Sequence, residues 1–209
     1  MAMAHLRCGA IAEALRAADA LIALSREQGF ATWLAHGMIC RAAALSWVEP
    51  PAKAIPLLKD AIAECLATGN LIFNPVQSLE LVGAYLRAGK VETGLALVAE
   101  LLANIERTGE RQGEAPLRCV RGQLLLAGPN PDENEAEASL QMALAVARRQ
   151  RFKLAELVAA TGLARLWRQQ GKQGAALELL APIYGWFTEG FEFPVLRDAR
   201  ALLCELSKP

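Results

Sequence analysis

One phrase occurs twice in the chain and constrains its fold more than any other feature. Residues 81–101 read LVGAYLRAGKVETGLALVAEL, and residues 163–183 read LARLWRQQGKQGAALELLAPI. Tyr85 and Trp167 take the same place in the two phrases, and Gly89 and Gly171 each follow four residues later. Each phrase joins two apolar helical patterns at its glycine and so predicts a helical hairpin. A hairpin that recurs along a chain indicates a stack of hairpins, and such stacks usually bind rather than catalyse.

The composition favours helices along the whole chain. Apolar residues make up 54% of the 209 residues, and much of that fraction is alanine and leucine, which suit closely packed helices. Sustained alternation of apolar and polar residues is missing, and β-branched residues are sparse, so strands are not expected. We therefore expect an all-α protein with nine or ten helices, long enough to bury a substantial core.

Glycine and proline residues divide the chain into helical hairpins within a single domain, 1–209. The expected hairpins span approximately 31–69, 72–108, 113–150 and 153–188. A partial N-terminal helix is expected at 8–28 and a capping helix at 194–207. The helix at 8–28 has the pattern of the second half of a hairpin, and its first half is not evident in the sequence.

The position of Tyr85 can be followed through the other predicted hairpins. We assign Cys40, Leu125 and Trp167 to it. The position then recurs roughly every 40–45 residues, an interval within the range of known helical repeats. Small residues where the helices of a hairpin cross, and large residues beside them, are what close helix packing requires.

At these residues the chain resembles the tetratricopeptide repeat (TPR) family, whose pattern extends over about 34 residues. The resemblance is good around Tyr85 and Trp167 and degenerate elsewhere, with insertions near residues 48–51 and 128–134. It implies a right-handed TPR-like α-solenoid of antiparallel helical hairpins. The longer spacing indicates lengthened helices or turns.

Five further phrases resemble the C-terminal helical region of large bacterial signalling proteins, in which a class III adenylate/guanylate cyclase or a predicted ATPase precedes TPR-like repeats. The resemblance implies a non-catalytic, cytoplasmic module of protein–protein interaction, the sensor or scaffold part of such a protein. The phrases are ERTGER (106–111), RGQLLL (121–126), ASLQMALAVARRQ (138–150), TGLARLWRQQGK (161–172) and LAPIYGWFTEGF (180–191).

The catalytic motifs of those proteins are not found in this sequence. The string most similar to a phosphate-binding loop, GAYLRAGK at 83–90, has five residues between its glycines and is followed by valine. It also lies in a predicted helix and turn, whereas a phosphate-binding loop follows a strand. We therefore interpret it as the turn of a repeat.

Charge, cysteine and histidine patterns exclude several other classes of function. Lys+Arg and Asp+Glu are equal at 22 each, so long-range attraction to nucleic acid or an anionic membrane is not expected. The five cysteines are widely spaced and suggest buried thiols in a reducing compartment. His5 and His36 have no metal-ligand spacing, and neither is placed near a cysteine in a known motif, so we expect no metal, no cofactor and no thiol catalysis. A membrane-spanning segment is not expected either.

The TPR resemblance also implies a concave face with candidate ligand-binding residues. Its four arginines could form a cationic lining for a carboxylate or phosphate, although a solvated helix face explains them equally well. The densest basic run, residues 148–153, is interpreted as a solvated helix end. The candidates are Met38, Arg41, Leu79, Leu86, Arg87, Gln123, Arg165, Arg168 and Gln169.

An aromatic segment near the C-terminus is the second candidate site. It caps the last hairpin as a hydrophobic plug, or it forms a contact surface for a homodimer or a neighbouring domain. Its residues are Tyr184, Trp186, Phe187, Phe191 and Phe193.

Three functions stay open from the sequence. The first is binding of a protein or peptide partner, or of neighbouring domains of a parent chain. The second is sensing of a small molecule or nucleotide, and the third is a structural or oligomerisation spacer.

Overall fold

The chain is helical throughout the part that its computed structural model describes, residues 1–69 and 74–208. This part contains eleven α-helices and no strand, which confirms the predicted fold class. Residues 72–73, where the second predicted hairpin begins, lie outside the described residues. The helices are α1 (Ala2–Arg7), α2 (Ile11–Gln28), α3 (Ala31–Val48), α4 (Pro51–Ala67), α5 (Asn74–Arg87), α6 (Val91–Thr108), α7 (Glu114–Ala127), α8 (Glu133–Arg149), α9 (Lys153–Gln169), α10 (Gln173–Tyr184) and α11 (Pro194–Leu206).

The helices form two layers. Each helix packs on the next one in the chain, and each odd-numbered helix also packs on the next odd-numbered helix, from α1 to α11. Among the described residues, even-numbered helices make no comparable contact with one another. The odd-numbered helices therefore form a continuous inner layer, and the even-numbered helices cover it from outside. This is the arrangement of a TPR-like α-solenoid.

The starts of the outer helices show the length of the repeat. The N-cap residues of α2, α4, α6, α8 and α10 are Ala10, Pro50, Lys90, Asp132 and Lys172. Their spacing is roughly 40 residues throughout, longer than that of a standard TPR. Four residues after each N-cap stands a buried alanine or glycine, at positions 14, 54, 94, 136 and 176. A Cβ at Gly94 would lie 2.9 Å from Leu124 Cδ2, so a larger residue does not fit there.

This register corrects the assignment of Cys40 to the position of Tyr85. Tyr85 stands five residues before the N-cap Lys90, and the residue five before Pro50 is Leu45. The sequence interpretation went wrong because Pro50 and Pro51 replace the glycine turn that marks the hairpins at Gly89 and Gly171. Proline suits the first turn of α4, where its missing N–H is not needed.

The register also shows that α1 and α2 form a first, shortened hairpin. Residues 6–10 read LRCGA and correspond to LRAGK at 86–90. In both turns the backbone N–H of the N-cap residue donates to the carbonyl five residues earlier, Ala10 to His5 and Lys90 to Tyr85. Helix α1 is therefore the first half of the hairpin that α2 completes, which was not evident from the sequence.

A left-handed residue follows each outer helix and turns the chain back to the inner layer. These residues are Gly29, Gly69, Gly109, Arg151 and Gly190, with φ between 54° and 79°. Arg151 is the only residue other than glycine with positive φ in the described chain. The glycines at 29 and 109 end helices where the sequence predicts it.

Candidate binding face

The inner layer exposes two adjoining cavities, which we call the central cavity and the C-terminal cavity. The central cavity has a volume of about 310 Å³ and is lined by residues of α1, α5, α7 and α9. The C-terminal cavity has a volume of about 770 Å³ and is lined mainly by α7, α9 and α11. Gln123 and Val158 line both cavities, so the two form one continuous surface across the inner layer.

Apolar side chains dominate the wall of the central cavity. Four polar side chains also reach it: Arg7 from α1, Glu80 from α5, Gln112 before α7, and Gln123 from α7. A mostly apolar cavity with a few convergent polar groups is the usual form of a binding site. The apolar lining consists of Leu79, Pro116, Cys119, Val120, Phe152, Leu154, Ala155 and Val158.

Glu80 is the acidic residue in this wall. Burial raises the pKa of Glu80, and the positive charges of Arg7 and Arg87 act in the opposite direction without cancelling it. Neither arginine, nor any other basic group of the described chain, lies within 4.0 Å of the Glu80 carboxylate as an ion pair. A carboxylate in an apolar wall without an ion pair has unused capacity to bind a donor.

Arg87 is held away from Glu80 by neighbours on α3. Its Cζ lies 4.4 Å from the centroid of the Trp47 ring, and its Nη2 donates to Ser46 Oγ at 2.6 Å. Its buried Nε has no hydrogen-bond partner in the described structure. Gly83 makes room for the side chain, because a Cβ there would lie 3.2 Å from Arg87 Nη1. The guanidinium is thus fixed against an indole ring that is itself 57% exposed.

The first turn of the chain reaches the last helix. A Cβ at Gly9 would lie 2.8 Å from Pro194 Cγ, at the start of α11. Arg7, two residues earlier, lines the central cavity. The first hairpin therefore forms one wall of the inner face as well as the beginning of the stack.

Two arginines of α9 are already paired, and one of them, Arg165, lies in the wall of the C-terminal cavity. Arg165 Nη2 lies 2.7 Å from Asp198 Oδ1, so this ion pair joins α9 to α11. Arg168 forms a second ion pair between the same helices, with Glu205. Both ion pairs are about half exposed and contribute little to stability, but each places a carboxylate beside its arginine.

The structure brings together five of the nine predicted site residues on the inner face. Leu79 and Gln123 line the central cavity, Gln123, Arg165 and Gln169 line the C-terminal cavity, and Arg87 lies beside Trp47. Leu86 packs instead in the core between α5, α6 and α7. The sequence interpretation missed Glu80 and Arg7, although the match of LRCGA to LRAGK puts Arg7 in the position of Arg87.

Met38 and Arg41 lie on the opposite side of the inner layer from the predicted one. Both line a cavity of about 510 Å³ between α2, α3 and α4, where Arg41 Nε donates to Asp19 Oδ1 at 2.8 Å. The cause is the register error at Cys40, because a shift of five residues rotates a side chain by about 140° around the helix.

His36 and Cys40 are close together, which the sequence interpretation did not expect. His36 Nε2 lies 3.7 Å from Cys40 Sγ, one turn along α3. Burial raises the pKa of the Cys40 thiol to about 11 and lowers the pKa of His36. Both groups are therefore neutral near pH 7, and the pair lacks the thiolate that nucleophilic catalysis requires.

The aromatic segment divides into two parts. Tyr184, Phe187 and Phe193 pack on the core formed by α7 to α11, in agreement with a hydrophobic plug. Trp186 and Phe191 are 58% and 42% exposed. The Lys153 ammonium lies 5.7 Å from the Trp186 ring centroid, at the junction of α8 and α9.

Residues 1–69 and 74–208 contain neither a cluster of metal-ligating side chains nor a helix able to cross a membrane. No three His, Cys, Asp or Glu side chains of that part are placed to hold a metal ion. No helix of that part combines the length and apolar character needed to cross a membrane.

The comparisons with known proteins support the fold and do not assign a family. No family model matches the chain, and no curated protein does. Among solved structures, the chain is similar to the nearly identical TPR-like repeats of a Podosopora anserina protein described as a kinesin light chain. A variant of that protein has a TM-score of 0.60 at 19% identity, covering 88% of this chain and 90% of its own. Another structure of it has a TM-score of 0.57 at 18% identity, covering 100% and 94%. The similarity shows a TPR-like repeat fold.

Proposed function

We propose that this chain is a non-catalytic repeat module whose inner face binds a peptide segment of a protein partner. The observation that supports this most directly is the pair of adjoining cavities, which four consecutive inner helices and α1 line together. An extended segment can contact several helices of such a surface at once, whereas a compact small molecule uses one cavity.

Blocking the junction of the two cavities tests this proposal. Gln123 is exposed and lines both cavities, so Gln123→Trp fills the surface without entering the core. The probe is a random peptide library displayed on phage, selected on the immobilised full chain. We expect Gln123→Trp to weaken the selected peptides at least tenfold. Gln141→Trp, at an exposed position of the outer helix α8, is the matched control and should leave them bound. Equal binding to both variants would refute the proposal.

Sensing of a small anion or nucleotide has less support. Arg41, Arg165 and Arg168, three of the four arginines proposed for a cationic lining, are engaged by Asp19, Asp198 and Glu205. The fourth, Arg87, is held by Trp47 and Ser46. An anion would have to compete with these contacts for the guanidinium groups.

A homodimer through the aromatic segment is a second proposal, supported by the exposure of Trp186 and Phe191. Sedimentation velocity of the full chain tests it: a dimer that Trp186→Ser with Phe191→Ser converts to monomer supports it, and a wild-type monomer contradicts it.

The wider context is also proposed. The five phrases resembling the helical region of bacterial cyclase- or ATPase-linked signalling proteins support a role as the cytoplasmic sensor or scaffold of such a protein. Partner binding to the inner face would then be transmitted to neighbouring domains of a parent chain. A cyclase or ATPase encoded with this region would support the context, and an unrelated neighbouring domain would contradict it.

A further inference from the structure

Glu80 differs from the two glutamates that are buried in the described chain. Glu114 and Glu156 are 2% and 5% exposed, and each forms ion pairs with at least two basic side chains. Glu80 forms no ion pair with any described residue, although it lies in an apolar cavity wall. Since an unpaired carboxylate in such a place costs stability, packing alone does not account for it.

The two arginines near Glu80 do not take the role of partner. Arg87 is directed to α3, where it stacks on Trp47 and donates to Ser46. Arg7 is exposed on the short helix α1 and stays beyond ion-pair distance of the Glu80 carboxylate. The acceptor capacity of Glu80 is therefore available to a group that enters the cavity.

The shape of the cavity limits what enters with that group. At about 310 Å³ the central cavity is at the lower end of ligand-binding cavities, which hold roughly 300–1,000 Å³. Its wall is formed by aliphatic and aromatic side chains such as Leu79, Val120 and Phe152. A large apolar side chain fits this wall, and the adjoining C-terminal cavity gives the rest of a peptide a continuous path.

We propose that the central cavity recognises a basic, amphipathic peptide segment: a large apolar side chain enters the cavity and an adjacent lysine or arginine binds the Glu80 carboxylate. This rests on the proposed function and names its ligand class. An acidic segment is disfavoured because its carboxylate would approach Glu80, and Arg165 in the wall of the C-terminal cavity is already paired with Asp198. Arg7 lines the central cavity together with Glu80, so the wall does not offer an acidic group a purely cationic site. The charge-assisted hydrogen bond between the basic side chain of the peptide and the Glu80 carboxylate makes the cavity selective for basic segments.

The selection on phage, followed by sequencing, provides the test. On the wild-type chain we expect enrichment of Lys or Arg within two positions of Leu, Phe or Met. Glu80→Gln should keep the apolar preference and lose the basic one, and synthetic peptides of the wild-type consensus should bind it about tenfold more weakly. Glu80→Lys should enrich acidic residues instead. Glu92→Gln, on the exposed side of α6, is the control and should select the same peptides as the wild type.

The outcomes separate this inference from the proposed function. Suppose that peptides are selected and that Gln123→Trp abolishes their binding, but that they show no basic preference. This outcome would support the binding face and overturn the role of Glu80. The same applies to a basic preference that Glu80→Gln does not change, or to acidic peptides on the wild type. Failure to select any peptide would overturn both. Circular dichroism of each variant shows that the comparison is made between folded chains.

Discussion

The glutamates next to α8, Glu114 and Glu156, are ion-paired, whereas Glu80 on the inner face of α5 is not. The interval from Glu114 to Glu156 equals that from Leu125 to Trp167, so the two glutamates occupy one position of two consecutive repeats. The last turn of α8 contacts both, Glu114 through Arg149 and Glu156 through Arg148. Glu80 lies in the middle of α5 and has no such partner in the described chain.

The difference separates a structural carboxylate from a candidate recognition group. Burial alone would raise the pKa of Glu156, but hydrogen bonds from Lys153 and Arg148 outweigh it and lower that pKa. In Glu80 the effect of burial prevails, and its pKa is raised. The basic run at 148–153 is thus more than a solvated helix end, since it joins the inner helices α7 and α9 through their glutamates.

The largest expected effect in this comparison is that of Glu114→Gln. The Glu114 side chain is 3% exposed and is held by Arg111 at 3.0 Å, Arg118 at 3.1 Å and Arg149 at 3.7 Å. The amide removes the negative charge and one of the two acceptor oxygens that three guanidinium groups share, and Arg111 retains Glu106 as a partner. We expect a loss of about 2–3 kcal/mol in the free energy of unfolding. Urea unfolding followed by circular dichroism measures it. A loss below about 0.5 kcal/mol would show that these ion pairs are not structural.

Glu156→Gln should have the second largest effect, about 1–2 kcal/mol at pH 7, because two partners contact Glu156. Since the folded-state pKa of Glu156 is lowered from 4.5, its stabilising effect is present above pH 4.5 and is lost as the pH falls through the folded-state pKa. Unfolding curves of wild type and variant between pH 7 and low pH should therefore converge on acidification. If the difference in stability between wild type and variant did not change with pH, the ionised Glu156 carboxylate would not be the source of the stabilisation.

The sequence could predict the helices and the general fold, because these depend on local patterns. The regular spacing of the glycines at 29, 69 and 109 already shows the period of the repeat in the sequence. Each of them has positive φ and follows an outer helix. Pro50 and Pro51 concealed that period, since the turn they form has no glycine. The mistake moved Met38 and Arg41 to the wrong face, which shows how strongly a site assignment depends on register.

The special position of Glu80 could not be predicted from the sequence. Whether a glutamate is paired depends on which basic side chains three or four different helices bring to it. Arg7 and Arg87 are both near Glu80, but stacking on Trp47 and a hydrogen bond to Ser46 direct Arg87 elsewhere. These contacts join α5 to α3, one repeat earlier in the chain, and follow from the packing of two repeats.

Glu80→Gln has the smallest expected effect on stability and tests the comparison most directly. No ion pair is lost, so the free energy of unfolding at pH 7 should equal that of the wild type within about 0.5 kcal/mol or exceed it. Because the folded-state pKa of Glu80 is raised above 4.5, ionisation disfavours the folded state, and wild-type stability falls as the pH rises from 4.5 through the folded-state pKa. The variant lacks this contribution, so any advantage it has over the wild type should vanish below pH 4.5. Glu80 would belong with Glu114 and Glu156 if the variant were instead destabilised by about 1 kcal/mol or more at pH 7, and its carboxylate would then be needed for the fold rather than free for a ligand.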